Sequence, residues 1–198
     1  MAAEKTTGKD VKAVKESIIK AATELIEENK GDMSKVTARA IAAKSGVALG
    51  LINYHFKSKE NLIEMCVQRI VNKILFCFYS DDDLSENISD RQRLINRGRR
   101  VFDFFFDNKN MTKIFILSDL KNYQPKSNTA AVQSGFKMAI RSTDTDNKKK
   151  RILGFMLTSA IETAFLTGDR SSEILGYNLD VKEERDKLVE EMVEALAL

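Results

Sequence analysis

TARAIAAKSGVALGLINYHFKSKENL, from Thr37 to Leu62, holds four basic residues, Arg39, Lys44, Lys57 and Lys59, against one acidic residue, Glu60. It also holds the only histidine of the chain, His55, between Tyr54 and Phe56. Thr37 can cap the free amide groups of a helix that begins there. Val36 before it and Ile41 after it have the spacing of a hydrophobic staple. Gly46 follows Ser45 and suits the left-handed residue of a tight turn. A further short helix is expected from about Ala48 to Phe56, with Ser58 capping a longer one that carries Leu62, Ile63, Cys66, Val67, Ile70, Ile74 and Leu75. Two short helices joined by a glycine turn form a helix-turn-helix. The second helix of such a unit enters the DNA major groove while the first crosses the backbone. A generic helical hairpin is the alternative. Against it stands the face opposite Ile52 and Phe56, which collects Leu49, Gly50 and Asn53. Gly50 costs a helix interior about 1 kcal/mol relative to alanine. Folding gains nothing from it, whereas a backbone that must approach another molecule does.

Working outward, nearly every segment has helical period and none alternates as a strand does. One proline and nine glycines fit an all-α protein. Val11, Val14, Ile18, Ala22 and Leu25 predict a first helix over about Asp10–Glu28, with Gly31 as its left-handed stop. The polar residues 1–10 read as a disordered tail. SDDDLSEN, Ser80–Asn87, breaks the pattern and sets the expected boundary between a domain over 11–79 and a larger helical one over 80–198. In the latter, Leu94, Ile95, Val101, Phe102 and Phe105 form one helix face. Met111–Asn122 is a further helix ended by Pro125, and Thr129–Arg141 is another. Ile152–Leu166 carries one charge, Glu162, and is expected to be buried on most of its circumference. Val181, Leu188, Val189, Met192, Val193 and Leu196 mark a last, acidic helix. The basic run Asp146–Arg151 reads as a solvated helix start.

The bulk numbers bound the class. An apolar fraction of 43% suffices for a core, and 31% charged residues argue for a soluble surface. The apolar run Ile74–Tyr79 is far short of the ~20 residues a membrane span needs. No cleavable signal is visible, so a cytoplasmic protein is expected. Cys66 and Cys77 on one helix lie ~16 Å apart at ~1.5 Å per residue, too far to pair, and read as small buried hydrophobes. Residues 1–79 hold 13 Lys+Arg against 9 Asp+Glu, while 80–198 hold 19 against 20. Five basic residues and no acidic one lie between Met33 and Lys59, a patch that an anionic polymer would feel. Charge alone fits a solvated helix face as well.

The stretch resembles the amino-terminal DNA-binding segment of the tetracycline-repressor (TetR) family of bacterial transcription regulators. The matching residues are Thr37, IAAKSGV over Ile41–Val47, Gly50, Ile52, YHF over Tyr54–Phe56, then Lys59, Glu60 and Leu62. The resemblance covers about residues 11–79. Two positions depart from the family pattern: Ala48 stands where a Ser or Thr cap is usual, and Asn53 where many members have tyrosine. Operator preference therefore cannot be carried over from a relative. The resemblance implies that Thr37, Tyr54, His55 and Lys59 contact phosphates, which sets register without reading sequence. It implies that Leu49, Gly50 and Asn53 face base edges. Asparagine pairs with adenine and an apolar side chain rests on a thymine methyl, so an A/T-rich half-site core is expected. His55 could instead hydrogen-bond structurally, and Tyr54 could be half-buried core.

The same resemblance implies a homodimer on a palindromic operator of double-stranded DNA, joined largely through the last two helices. Gly154, Ser159, Ala160 and Thr163 would permit close helix approach, although the terminal apolar face could pack within the protomer. It also implies a small-molecule inducer. Phe102, Phe106, Phe115 and Met156 are candidate pocket residues, with plain core as the first reading of each. Glu162 is expected at an exposed position; buried, it would meet a cationic ligand or an arginine such as Arg97. No cofactor is expected, and one histidine with two cysteines that cannot converge supplies no zinc set. Phosphate-cradling glycine loops, G-x-S-x-G, H-E-x-x-H and C-x-x-C are absent, so no catalytic residue is assigned and no enzyme is expected. The rival is a helical ligand-binding or interaction module that does not bind DNA.

Overall fold

The computed structural model describes residues 8–77 and 88–196. Among these, the backbone forms ten α-helices and no strand. The boundary stretch 80–87 and positions 1–7 of the expected tail lie outside the described residues. So do the side chains of Ile70, Ile74, Leu75 and Cys77. The chain divides into two compact units, Met1–Ile70 and Val71–Leu198.

The first unit is built on α1 (Gly8–Glu28), α2 (Ala38–Ser45), α3 (Leu49–Phe56) and the start of α4 (Lys59–Cys77). Helix α1 begins two residues earlier than its apolar stripe predicted and ends where expected. Gly31 takes φ 76° and its N–H donates to Ile26 O at 2.9 Å. Ile18, Ile19, Ala22 and Ile26 of α1 are buried, as are Leu62, Ile63, Cys66 and Val67 of α4. Val36 and Ile41 are fully buried, as a staple requires. Cys66 is a free thiol that burial pushes above its ordinary pKa, and its Sγ lies 3.7 Å from Ile19 O. Arg69 grips Glu16 through two contacts of 2.6 Å.

The second unit contains α5 (Asp90–Asp107), α6 (Lys109–Lys121), α7 (Asn128–Ala139) and α8 (Asn147–Leu166). A short 3-10 turn (Gly168–Arg170), α9 (Ser171–Leu175) and α10 (Lys182–Ala195) complete it. Ser89, Ser127 and Asp146 cap α5, α7 and α8 by accepting from Gln92, Ala130 and Lys149 N–H groups. Helix α5 is the hub, packed on α6, α7, α8 and α10. Phe102, Phe105, Phe115 and Phe136 are fully buried, and Phe105 meets Phe115 and Phe165 edge-on with centroids 5.6 Å apart.

Three expectations for this unit are overturned. Helix α8 is not buried around most of its circumference: Ile152, Phe155 and Met156 are about half exposed, Phe155 at 53%. Glu162 is not exposed but buried, at 5%. Gly154 is spent inside the protomer, since a Cβ there would lie 2.8 Å from Gln133 O of α7. Likewise Leu188, Val189 and Val193 of α10 are buried within the protomer. Gly98 sits so close to α10 that a Cβ would lie 2.6 Å from Val189 Cγ1.

Candidate nucleic-acid interface

Helix α2 is opened by Thr37, whose Oγ1 accepts from Ala40 N at 3.1 Å. It is closed by Gly46 at φ 70°, ψ 23°, with the Gly46 N–H donating to Ala42 O. Val47 N also donates to Ala42 O, at 3.2 Å. Such a stop needs a left-handed residue, which glycine adopts without Cβ strain. Ser17 of α1 donates to Ser45 O at 3.2 Å and fixes the turn against α1. The turn therefore aims α3 from a braced base.

Helix α3 buries only Ile52 and Phe56. Leu49, Gly50, Leu51, Asn53 and Tyr54 are exposed, Tyr54 at 70%. A Cβ added at Gly50 would meet nothing within 4 Å. Nothing inside the chain therefore demands a glycine there. Ala48 holds the extended geometry of an N-cap, φ −65° and ψ 139°, but offers no side-chain acceptor. Leu51 N–H donates to Ala48 O at 2.9 Å, while the amides of Leu49 and Gly50 ahead of it have no side-chain cap.

The corner between α3 and α4 is Lys57, at φ 68° and ψ −44°. Its N–H donates to Asn53 O at 3.0 Å, and its ammonium lies 6.0 Å from the Tyr54 ring centroid. The Tyr54 and His55 rings meet edge-on with centroids 5.0 Å apart. His55 is half-buried, and Tyr54 is not core. Ser58 caps α4 through Asn61 N at 3.1 Å. The Lys59 ammonium reaches Met33 O at 3.4 Å, which holds it beside the loop before α2 and leaves further N–H donors free. Thr37 likewise accepts from Ala40 and keeps its hydroxyl proton to donate.

The basic patch is thinner than its sequence. Lys44 lies 2.7 Å from Glu28 and 3.5 Å from Glu24, and the Glu28 contact raises its pKa. Lys35 pairs with Asp32 at 3.5 Å. These partners lie outside the window that looked free of acid. One further residue joins the exposed face, Lys57. The positive-φ corner at Lys57 carries no signal in the residue type.

In the second unit the pocket candidates fall in different surroundings. Phe102 and Phe115 are buried, and Phe106 meets Phe102 and Phe165 edge-on at 5.4 and 5.5 Å. The guanidinium of Arg185 stands 4.5 Å over the Phe106 ring. Met156 lies on the exposed stripe of α8. Glu162 is buried beside Asp119 and Thr129, and burial, aided by the Asp119 charge, raises its carboxyl to about 7 while the Thr129 hydroxyl lowers it. Among the described residues no three metal-ligating groups converge, and no helix is long and apolar enough to cross a membrane.

Residues 18–66 match the profile of the bacterial regulatory proteins of the tetR family. No curated protein matches the chain by sequence. Solved structures with the same fold include a tetR-family transcriptional regulator from Streptomyces coelicolor, 19% identical, with a TM-score of 0.64 over 92% of this chain and 80% of that one. A TetR-like transcriptional regulator from Rhodococcus sp. is 15% identical, with a TM-score of 0.60 over 93% of this chain and 96% of that one. A TetR transcriptional regulator from Nitrosomonas europaea is 15% identical, with a TM-score of 0.60 over 92% and 97%. At such identities the likeness carries the fold, and the domain profile speaks for residues 18–66. Residues 18–66 therefore form a domain of the tetR family of bacterial regulatory proteins, and the chain shares the fold of the solved TetR-like regulators.

Proposed function

We propose that the chain is a sequence-specific DNA-binding transcriptional regulator, a homodimer that represses from a two-fold operator and is released by a small ligand. One observation carries the reading. Helix α3 keeps a glycine that no neighbour requires, on a face of exposed Leu49, Leu51 and Asn53. That face is unused by the fold and suits close approach to a duplex.

In this reading Leu49, Gly50 and Asn53 lie against base edges, the asparagine on adenine and the leucine on a thymine methyl. Thr37, Tyr54, His55 and Lys59 grip phosphates on either side, with Lys57 beside them. The partner copy docks on α8, whose exposed Ile152, Phe155 and Met156 need cover more than the apolar face of α10 does. Ligand binding favours a dimer whose recognition helices no longer match successive grooves, and DNA affinity falls by the differential affinity. Helix α4 leads from the first unit into the second and is the lever. The chain catalyses nothing in this scheme and works in the cytoplasm.

The test is selection of bound duplexes from a random pool, followed by gel shift at two salt concentrations. An operator with two inverted half-sites, bound with a steep salt dependence, is the expected result. A Lys59→Gln chain should lower the slope of log affinity on log salt by about one unit. Indifference to every duplex at low salt would leave the interaction-module reading in its place.

A further inference from the structure

Helices α6, α7 and α8 bring a buried, incompletely satisfied polar group together away from the DNA-facing surface. Glu162 is 5% exposed, and its Oε1 meets no hydrogen-bond partner. Thr129, in the first turn of α7, is 3% exposed; its Oγ1 makes no hydrogen bond of ordinary length, although the hydroxyl lies near enough to lower the Glu162 carboxyl. The Thr129 N–H donates at 2.7 Å to Asp119, a second buried carboxylate, on α6. The groups that act on Glu162 are this hydroxyl and this carboxylate, and no cation is among them. The Thr129 hydroxyl has one proton to offer, so an oxygen of this buried pair stays short of a donor beside a second negative charge unless one enters.

Tyr123 follows the end of α6 by two residues. This half-exposed ring borders a cleft of about 370 Å³ together with Pro125, Ala130, Gln133 and Ser134. Its phenol oxygen accepts from Gln133 Nε2 at 2.6 Å. Burial raises the phenol, the Gln133 donor lowers it, and the Glu162 and Asp119 charges raise it further, so both carboxylates lie within electrostatic range of the ring. Two basic residues, Lys137 and Arg151, line the same cleft. Lys137 lies eight residues beyond Thr129 on α7, and Arg151 eleven before Glu162 on α8, ~12 and ~16 Å along their helices.

We propose that Glu162, Thr129 and Asp119 form the head-group site for an organic ammonium ion whose body lies in the cleft beside Tyr123. This rests on the ligand-released reading and gives its ligand a chemical class. An ammonium group offers three N–H donors, enough for Glu162 Oε1 and Thr129 Oγ1 at once, and Asp119 adds charge. The Tyr123 face attracts a cation. A ligand with acceptors alone leaves both oxygens as they were. A bare divalent ion lacks ligands, since two carboxylates and a hydroxyl fall short of the six or more oxygens that calcium takes.

The probes are 4-phenylbutylamine, charged at neutral pH, and 4-phenylbutan-1-ol, its neutral counterpart of similar shape. Calorimetric titration of the full chain should show the amine binding at least tenfold tighter than the alcohol. Glu162→Gln should abolish that preference, and Thr129→Val should reduce it. The glutamine variant loses a buried charge, so its melting temperature should not fall, and a lost preference cannot then be laid to misfolding. Equal binding of the two probes to the native chain, or an undiminished preference in Glu162→Gln, overturns the proposal. Gel shift of the same preparations keeps the two readings apart. DNA binding without amine preference removes only the head-group site. Glu162-dependent amine binding with no affinity for any duplex supports the site and removes the regulator.

Discussion

Replacing Gly50 by alanine should move stability and DNA affinity in opposite directions. The added Cβ meets nothing within 4 Å, and Gly50 lies inside α3 without a positive φ. Alanine is therefore unstrained there. Helix propensity and the reduced freedom of the unfolded chain together favour Gly50→Ala by about 0.5–1 kcal/mol. For a chain of 198 residues that corresponds to a rise in melting temperature of roughly 1–4 °C. On DNA the same methyl must fit between the helix backbone and the base edges. A loss of about 1.4 kcal/mol, the equivalent of tenfold in affinity, is the least expected from a displaced close contact. The slope of affinity on salt should not change, because no phosphate grip is touched. Thermal melting and titration of a labelled operator, both at fixed ionic strength, read the two effects. Operator affinity equal to that of the native chain would refute the argument, since Gly50 would then serve neither fold nor DNA.

Three further outcomes follow from the geometry. Ala48→Ser should stabilise the chain by about 1 kcal/mol in urea unfolding, because the residue already holds N-cap geometry and lacks only the acceptor oxygen. Gly154→Ala should destabilise by roughly 1–3 kcal/mol and by more than Gly98→Ala, since its Cβ meets a backbone carbonyl of α7 rather than the Val189 side chain. Glu162 has a folded pKa of about 7 against an ordinary 4.5, so the folded chain keeps a proton that the unfolded chain gives up. Its contribution is intact below about pH 4.5 and is lost as pH rises through 7, by roughly 3 kcal/mol. Urea midpoints at pH 5, 6, 7 and 8 should show that decline in the native chain. The same series on Glu162→Gln should lack it, with Asp119 present in both.

Local signals made the first unit readable. Thr37, Gly46, Ser58 and the Ile52–Phe56 spacing each act within four residues, and the observed caps, turn and buried pair sit on those residues. What escaped reading was set by distance along the chain. The acids that hold Lys44 lie 16 and 20 residues upstream in α1. Thr129 and Asp119, which surround Glu162, lie 33 and 43 residues before it. Periodicity shows that α8 is apolar but not which side finds a neighbour, so its outward Ile152, Phe155 and Met156 looked like core. Helix α9 has five residues, too short for any period to register.

The corner at Lys57 gives the chain a different character alone than on its operator. A lysine at φ 68° holds a backbone shape that glycine would adopt freely, at a cost of about 1 kcal/mol. Among the described residues its ammonium faces the Tyr54 ring, 6.0 Å from the centroid, and in the proposed complex it would gain phosphate oxygens. The duplex then acts as a folding ligand. Under the proposed function, the chain off DNA should open more often and be cut sooner by proteases than on its operator, which limited proteolysis with and without the duplex measures.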